Sequence, residues 1–127
     1  MTEYELTSLS YTSISAIQSE ESTFLTVLFG YLVAAYFVGA KIPKTQLIIF
    51  NAMYLVTILG LTFNMWALWG DTYGWISAST ALSGGQAAMD ESVVSGETHT
   101  YIANGIYLAL IIASLWFMWN VRRAKAE

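Results

Sequence analysis

Three long apolar segments that contain no Asp, Glu, Lys or Arg constrain this sequence more than any other feature. They cover residues 22–40, 46–69 and 99–121. Each is close to the roughly 20 residues that a helix needs to cross a hydrocarbon core about 30 Å thick. A helix also satisfies its own backbone hydrogen bonds, whereas an isolated strand in lipid does not. The sequence therefore predicts an all-α integral membrane protein with three transmembrane helices.

The charged residues are sorted between the two sides of these segments. All five Lys and Arg residues fall within residues 41–44 and 122–125. Of the nine acids, Glu127 alone lies beside the cations, and the others are Glu3, Glu5, Glu20, Glu21, Asp71, Asp90, Glu91 and Glu97. Short loops rich in Lys and Arg stay in the cytoplasm. We therefore expect the N-terminus outside and the C-terminus in the cytoplasm.

Composition excludes several classes of protein. The chain has 127 residues, of which 56% are hydrophobic and 11% charged, against roughly 45–50% and 25% in soluble domains. We interpret residues 1–127 as a single membrane domain. The absence of cysteine excludes disulfides, thiolate metal sites and iron–sulfur clusters. Because the cations are confined to two stretches, no basic surface suited to nucleic acid is expected.

The segments on the basic side predict a simple connection. Residues 41–45 form a cytoplasmic turn that contains Pro43, and a connection this short joins two antiparallel helices. Residues 122–127 form a cytoplasmic tail. At the other side, Ser19 followed by Glu20 and Glu21 predicts the N-cap of the first transmembrane helix.

The segments on the acidic side are too polar to span a membrane. In the outer tail, residues 1–21, we expect residues 4–18 to form either an interfacial helix on the outer leaflet or a flexible Ser/Thr-rich tail. Residues 70–98 form an outer loop. Within it, residues 75–82 are predicted to form a short interfacial helix, which is broken at Gly84 and Gly85 and resumes at residues 87–89.

Tryptophan placement is consistent with one bilayer. Amphipathic rings prefer the headgroup level, and here they cluster at the outer end of the second segment and the inner end of the third. The predicted interfacial anchors are Trp66, Trp69, Trp75, Trp116 and Trp119.

Small residues recur at four-residue spacing in the first and third segments. They are Thr26, Gly30 and Ala34, with Ala35 and Gly39 on the adjacent row, and Gly105, Ala109 and Ala113. Residues four apart share a helix face, and small side chains let two helices approach closely in lipid. These rows predict helix-packing surfaces, either between the first and third helices of one chain or between this chain and another.

Polar side chains lie at matched depths within the segments. Thr26, Asn64 and Asn104 are at similar depth near the outer side, and Gln46 and Asn51 are placed to meet Asn120 near the inner side. Buried amides seek hydrogen-bond partners across helices. The cluster is therefore interpreted as adhesion between helices, with a polar pore lining or a ligand site as the alternative.

Catalytic and metal-binding groups are scarce. The single histidine, His99, stands at the start of the third segment near acidic residues, a weak metal-binding or proton-sensing pattern that we interpret as a solvated helix start. The segments contain no acid, Lys or interior His that would form an acid/base pair, a proton relay or a haem ligand. We expect no enzymatic activity, no catalytic residues, no metal and no cofactor.

Two runs near the N-terminus resemble small bacterial inner-membrane proteins of uncharacterised function. They are TEYELTSLSYTSIS at residues 2–15 and FLTVLFGYLVAAYFVGAK at residues 24–41. The resemblance rests on hydrophobic character and implies a location in a bacterial inner membrane. It implies no activity and no site.

The sequence favours a non-enzymatic membrane protein that acts by association. It would be an accessory or structural subunit of a membrane complex or a small homo-oligomer, with membrane lipids and other membrane subunits as partners. The alternative is a pore former, because three short spans and a basic tail resemble the arrangement of class I phage holins. A channel-type oligomer lined by Asn64 and Asn104 is a further form of this alternative.

Overall fold

Three long helices make up the described part of the protein. The computed structural model describes the backbone of residues 2–82 and 86–124, together with the side chains of that range except at residues 3 and 86–97. Helix α1 covers Glu3–Val38, α2 covers Lys44–Leu82, and α3 covers Gln86–Ala124. All regular structure in the described backbone is helical, and each helix is long and apolar enough to span a membrane. The prediction of three helices of this kind is confirmed.

Helix α1 begins close to the N-terminus. The Thr2 hydroxyl accepts a hydrogen bond from the Glu5 backbone N–H at 3.3 Å, and the Glu5 carboxylate accepts one from the Thr2 N–H at 2.7 Å. This reciprocal capping box satisfies two N–H groups at the helix start. Ser19 lies in the middle of α1, so the predicted N-cap at Ser19 is wrong. Residues 4–18 are helical and continuous with the first apolar segment, which makes the flexible-tail alternative wrong as well.

A tight turn joins α1 to α2. The Lys41 and Ile42 N–H groups both donate to the Val38 carbonyl, at 2.9 and 3.1 Å. Pro43 then directly precedes α2, and its carbonyl accepts from the Leu47 N–H at 3.0 Å. Proline suits this position because a helix start needs no N–H from it. The first two helices therefore run antiparallel.

The helices are longer than a bilayer core is thick. They contain 36, 39 and 39 residues, which corresponds to about 54–58 Å of helix against a hydrocarbon thickness of about 30 Å. Lys41, Lys44, Arg122 and Arg123 mark one end of the bundle, which we call the basic end. The excess length lies toward the opposite, acidic end. There α2 continues to Leu82, so residues 70–82 extend α2 and do not form a loop with a separate short helix.

The second part of the predicted outer loop is also helical. The backbone of residues 87–89 belongs to α3, which begins at Gln86. The helix break predicted at Gly84 and Gly85 lies outside the described residues. Helical backbone therefore continues well beyond the predicted third span.

The core is a narrow column between the three helices. Its buried members are Phe24, Leu28, Tyr31, Ala35, Tyr54, Ile58, Met65, Ile111 and Met118. The packing continues toward the acidic end, where Leu6, Ser10, Ile17, Thr72 and Thr100 are also buried. Many large apolar side chains in the spans, including Phe29, Val56 and Ile112, are exposed. Such a surface is expected where the surrounding solvent is lipid.

Candidate association surface and polar contacts between the helices

A polar and aromatic cluster in the half of the bundle toward the basic end connects all three helices. The Tyr31 and Tyr54 rings stack with centroids 3.8 Å apart. The Tyr31 hydroxyl donates to Asn51 Oδ1 at 2.8 Å, and the Tyr54 hydroxyl lies 2.8 Å from Ser114 Oγ. Because the Ser114 hydroxyl donates to the Ile111 carbonyl at 2.7 Å, its single hydrogen is used and Tyr54 is the donor to Ser114.

Two consecutive acids of α1 bind the other two helices. Glu20 Oε1 accepts a hydrogen bond from Asn64 Nδ2 of α2 at 2.9 Å. Glu21 Oε1 accepts one from the Tyr107 hydroxyl of α3 at 2.6 Å, and the Tyr107 ring packs against Phe24 at 4.9 Å. Charged acceptors make stronger hydrogen bonds than neutral ones. Glu20 and Glu21, which were predicted to lie at a helix start, therefore connect α1 to α2 and α3 by hydrogen bonds.

The polar residues predicted at matched depth have separate partners. The described hydrogen bonds of Asn104 and Thr26 go to carbonyls of their own helices, those of Thr100 and Ser22 respectively. Asn51 accepts from Tyr31, and Asn120 is half-buried near the end of α3. These bonds do not join Thr26, Asn64 and Asn104 into one cluster. Tyr31, Tyr54 and Tyr107 were missed because a tyrosine in an apolar run carries no sign of its partner.

The basic end is closed by an arginine of α3. Arg122 Nη1 donates to the carbonyl oxygens of Gly39 and Ile42, each at 3.1 Å. A cation placed there complements the negative end of the α1 dipole and satisfies carbonyls that have no partner within the helix. The neighbouring Arg123 instead lies 5.4 Å above the Trp119 ring of its own helix.

The small residues of α1 divide into two groups. Ala35 and Gly39 are buried, and a Cβ at Gly39 would lie 2.8 Å from Met118 Sδ of α3. This row therefore brings α1 and α3 close together within the chain. Thr26 and Gly30 are exposed, Ala34 is half-buried, and a Cβ at Gly30 would meet nothing within 4 Å.

The small residues of α3 face away from the bundle. Gly105, Ala109 and Ala113, which we call the α3 stripe, are all exposed, and a Cβ at Gly105 would meet nothing within 4 Å. Larger exposed residues border the stripe: Tyr101, Ile102, Leu108, Ile112 and Trp116. The result is a shallow groove between apolar ridges, open to whatever surrounds the protein.

The predicted tryptophan anchors lie near both ends of the spans. Trp66, Trp116 and Trp119 are exposed, whereas Trp69 and Trp75 are half-buried. Near the acidic end, the Trp69 ring stacks on Tyr73 at 5.6 Å and meets the edge of His99 at 5.3 Å. His99 thus packs on an aromatic ring. Among the side chains that the structure describes, no group of three His, Cys, Asp or Glu residues is placed to hold a metal.

Comparison with protein-family models, curated proteins and solved structures finds no significant match. The class of the protein therefore follows from its fold. Its described residues form an all-helical membrane protein whose three helices are each a candidate transmembrane span.

Proposed function

We propose that this protein is a non-enzymatic integral membrane protein that acts by association, as an accessory subunit of a membrane complex or as a small homo-oligomer. The α3 stripe is the docking surface. The observation that carries the proposal is the exposure of all three stripe residues on a helix that packs within its own chain through other residues, such as Ile111, Ser114 and Met118.

The physical argument concerns how helices associate in lipid. Lipid chains are as apolar as leucine, so burial alone gives no drive for two helices to meet. Association instead depends on close van der Waals packing, which small residues at four-residue spacing allow. The stripe supplies that spacing over two helical turns, and the ridges at Leu108 and Ile112 supply bulk on either side.

The proposed orientation has the basic end in the cytoplasm and the acidic end outside a bacterial inner membrane. Its support is the sorting of charge: Lys41, Lys44, Arg122 and Arg123 lie at one end, as a cytoplasmic face requires. The resemblance of residues 2–15 and 24–41 to small bacterial inner-membrane proteins supports the choice of membrane.

Leucine substitution tests the docking surface directly. Gly105→Leu and Ala109→Leu fill the groove and should reduce the size of the particle isolated in mild detergent, measured by light scattering after size exclusion. Gly60→Leu and Ala52→Leu are matched controls, because both sites are exposed on α2 and outside the stripe. An unchanged particle in both stripe variants would exclude this surface.

The first helix offers a second surface. Gly30 is exposed and lines an open groove beside Tyr54 with a volume of about 240 Å³. Gly30→Leu should disrupt assembly if α1 also contacts a neighbour. If only the α3 variants reduce the particle size, association is confined to α3.

A pore-forming oligomer, whether holin-like or a channel lined by Asn64 and Asn104, is the alternative proposal. The described hydrogen bonds occupy the Asn64 amide with Glu20 and the Asn104 amide with its own helix, which favours association. Expression of a pore former should collapse the membrane potential, and changing both asparagines to leucine should abolish that effect. An accessory subunit should leave the potential unchanged.

A further inference from the structure

A groove opens between α2 and α3 toward the acidic end. Its volume is about 540 Å³, within the roughly 300–1,000 Å³ of small-molecule sites. The residues that give it chemical character are Trp66, Asp71, Tyr73, Ser77, Thr100 and Tyr101. Gly70 and Gly74, one turn apart on α2, keep it open, because a Cβ at either position would meet nothing within 4 Å.

The lining combines a carboxylate with aromatic rings. Trp66, Tyr73 and Tyr101 present three rings, and the Asp71 carboxylate is exposed. Aromatic faces attract cations, and quaternary ammonium ligands are recognised by cages of such rings. Tyr73 of α2 and Thr100 of α3 both line the groove, so its walls come from two helices.

No described Lys or Arg side chain lies near this carboxylate, and His99, at the same end of the bundle, packs on the Trp69 ring. The described Lys and Arg residues lie at the opposite end, and Lys44 is 27 positions before Asp71 on the same helix, or about 40 Å along its axis. Arg123 is 22 positions beyond Tyr101 on α3, or about 33 Å. The Asp71 carboxylate in the groove is therefore placed to pair with a cation from outside the chain.

The position of the groove indicates where that cation comes from. Trp66 lines the groove and Trp69 lies about one turn further along α2, and tryptophan rings prefer the level of the lipid headgroups. Trp66 and Tyr101, which border the groove, are 51% and 73% exposed, so its rim is accessible from outside the bundle. A soluble cation would have to enter the groove from the water, whereas lipid headgroups are already present at the level of the tryptophan rings.

We propose that this groove binds the ammonium group of an amine-bearing phospholipid, of the ethanolamine or choline type, in the leaflet at the acidic end. Asp71 pairs with the ammonium, and the rings of Trp66, Tyr73 and Tyr101 surround it. Tyr101 also borders the α3 stripe, but Asp71 and Gly74 lie on α2 and outside the stripe, so substitutions at these two positions separate loss of lipid binding from loss of association.

The test is native mass spectrometry of the full chain released from micelles with equal amounts of dioleoyl phosphatidylethanolamine and phosphatidylglycerol. The wild type should retain phosphatidylethanolamine preferentially. Asp71→Asn should lower that preference about three- to fivefold, as expected for loss of an exposed ion pair, whereas Asp71→Glu should keep it. Gly74→Leu should fill the groove and lower retention similarly, and Gly60→Leu on the same helix should not.

Three results would overturn the proposal. One is equal retention of both lipids by the wild type. Another is wild-type preference in Asp71→Asn with helical content unchanged by circular dichroism. The third is displacement of the lipid by millimolar choline or ethanolamine, which would assign the groove to a soluble ammonium compound.

Discussion

The Arg122 guanidinium of α3 donates to the Gly39 carbonyl oxygen at the end of α1, 83 positions earlier in the chain. A second bond from the same nitrogen reaches Ile42 in the turn that follows. The positive charge that predicts the topology therefore also has a structural task, because it satisfies the carbonyl end of another helix.

Loss of this contact should destabilise the bundle. We expect Arg122→Gln to lower the free energy of unfolding by about 1–2 kcal/mol, since it removes two charge-assisted bonds and the dipole interaction. Unfolding in mixed micelles with increasing dodecyl sulfate measures the change. Arg123→Gln removes the same charge from an exposed neighbour and should be nearly neutral. Equal effects of the two variants would mean that charge alone matters.

The close approach at Gly39 should not tolerate a methyl group. Gly39→Ala places a Cβ against Met118 Sδ and the Ala35 carbonyl, and overpacking of this kind typically costs about 1–3 kcal/mol. The same unfolding assay detects it. Gly30→Ala is the matched control, because nothing lies within 4 Å of that Cβ position. A neutral Gly39→Ala would show that α1 and α3 are not in tight contact there.

The hydroxyl groups of Tyr31 and Tyr54 should contribute differently to the free energy of unfolding. Tyr54→Phe leaves Ser114 bonded to Ile111, so its cost should be small, about 0.6 kcal/mol. Tyr31→Phe removes the described donor of Asn51 Oδ1, and an acceptor left unsatisfied costs about 1–3 kcal/mol. Unfolding free energies of the two variants should therefore rank Tyr31→Phe as the more damaging. The reverse order would contradict the assigned hydrogen-bond directions.

The bond between Glu21 and Tyr107 can be isolated with a double-mutant cycle. Hydrogen bonds to a charged group contribute about 1.5–3 kcal/mol, so Glu21→Gln and Tyr107→Phe should be strongly non-additive. The cycle of Glu20→Gln with Tyr107→Phe is the control, because Glu20 bonds Asn64 instead. Additive effects of Glu21→Gln and Tyr107→Phe would show that the Glu21–Tyr107 hydrogen bond does not stabilise the bundle.

The orientation can be read with single cysteines. Since the chain contains no cysteine, Tyr4→Cys and Ala124→Cys each introduce one reporter, both at exposed positions. In intact cells a membrane-impermeant maleimide should label residue 4 and leave residue 124 unlabelled until the membrane is opened. Labelling of residue 124 alone would reverse the proposed topology.

The apolar segments were sufficient to predict the three helices, because an uncharged run of this length has few other stable conformations in lipid. The true start of α1 was also readable, since Thr2 and Glu5 have the spacing of a capping box. It was overlooked because Ser19, Glu20 and Glu21 form an equally good local signal. The same capping pattern also occurs within helices, where its acids accept hydrogen bonds from other helices, as Glu20 and Glu21 do.

The local sequence pattern does not predict the helix extensions or the hydrogen bonds between helices. Residues 70–82 contain Gly70, Gly74 and several serines, a composition that suggests a loop, yet packing of Thr72 in the bundle sustains the helix. The pairings of Glu20, Glu21 and Tyr54 depend on rotation of three helices about their axes. The spacing of residues within one helix does not determine how that helix is rotated against its neighbours.

The position of Arg122 also bears on the order of events during synthesis. Because α1 and α2 emerge first, the α1–α2 hairpin enters the bilayer while the last carbonyls of α1 lack their described side-chain donor. That donor arrives 83 positions after Gly39, once α3 has been inserted. A chain that ends before α3 therefore leaves the Gly39 and Ile42 carbonyls without this donor.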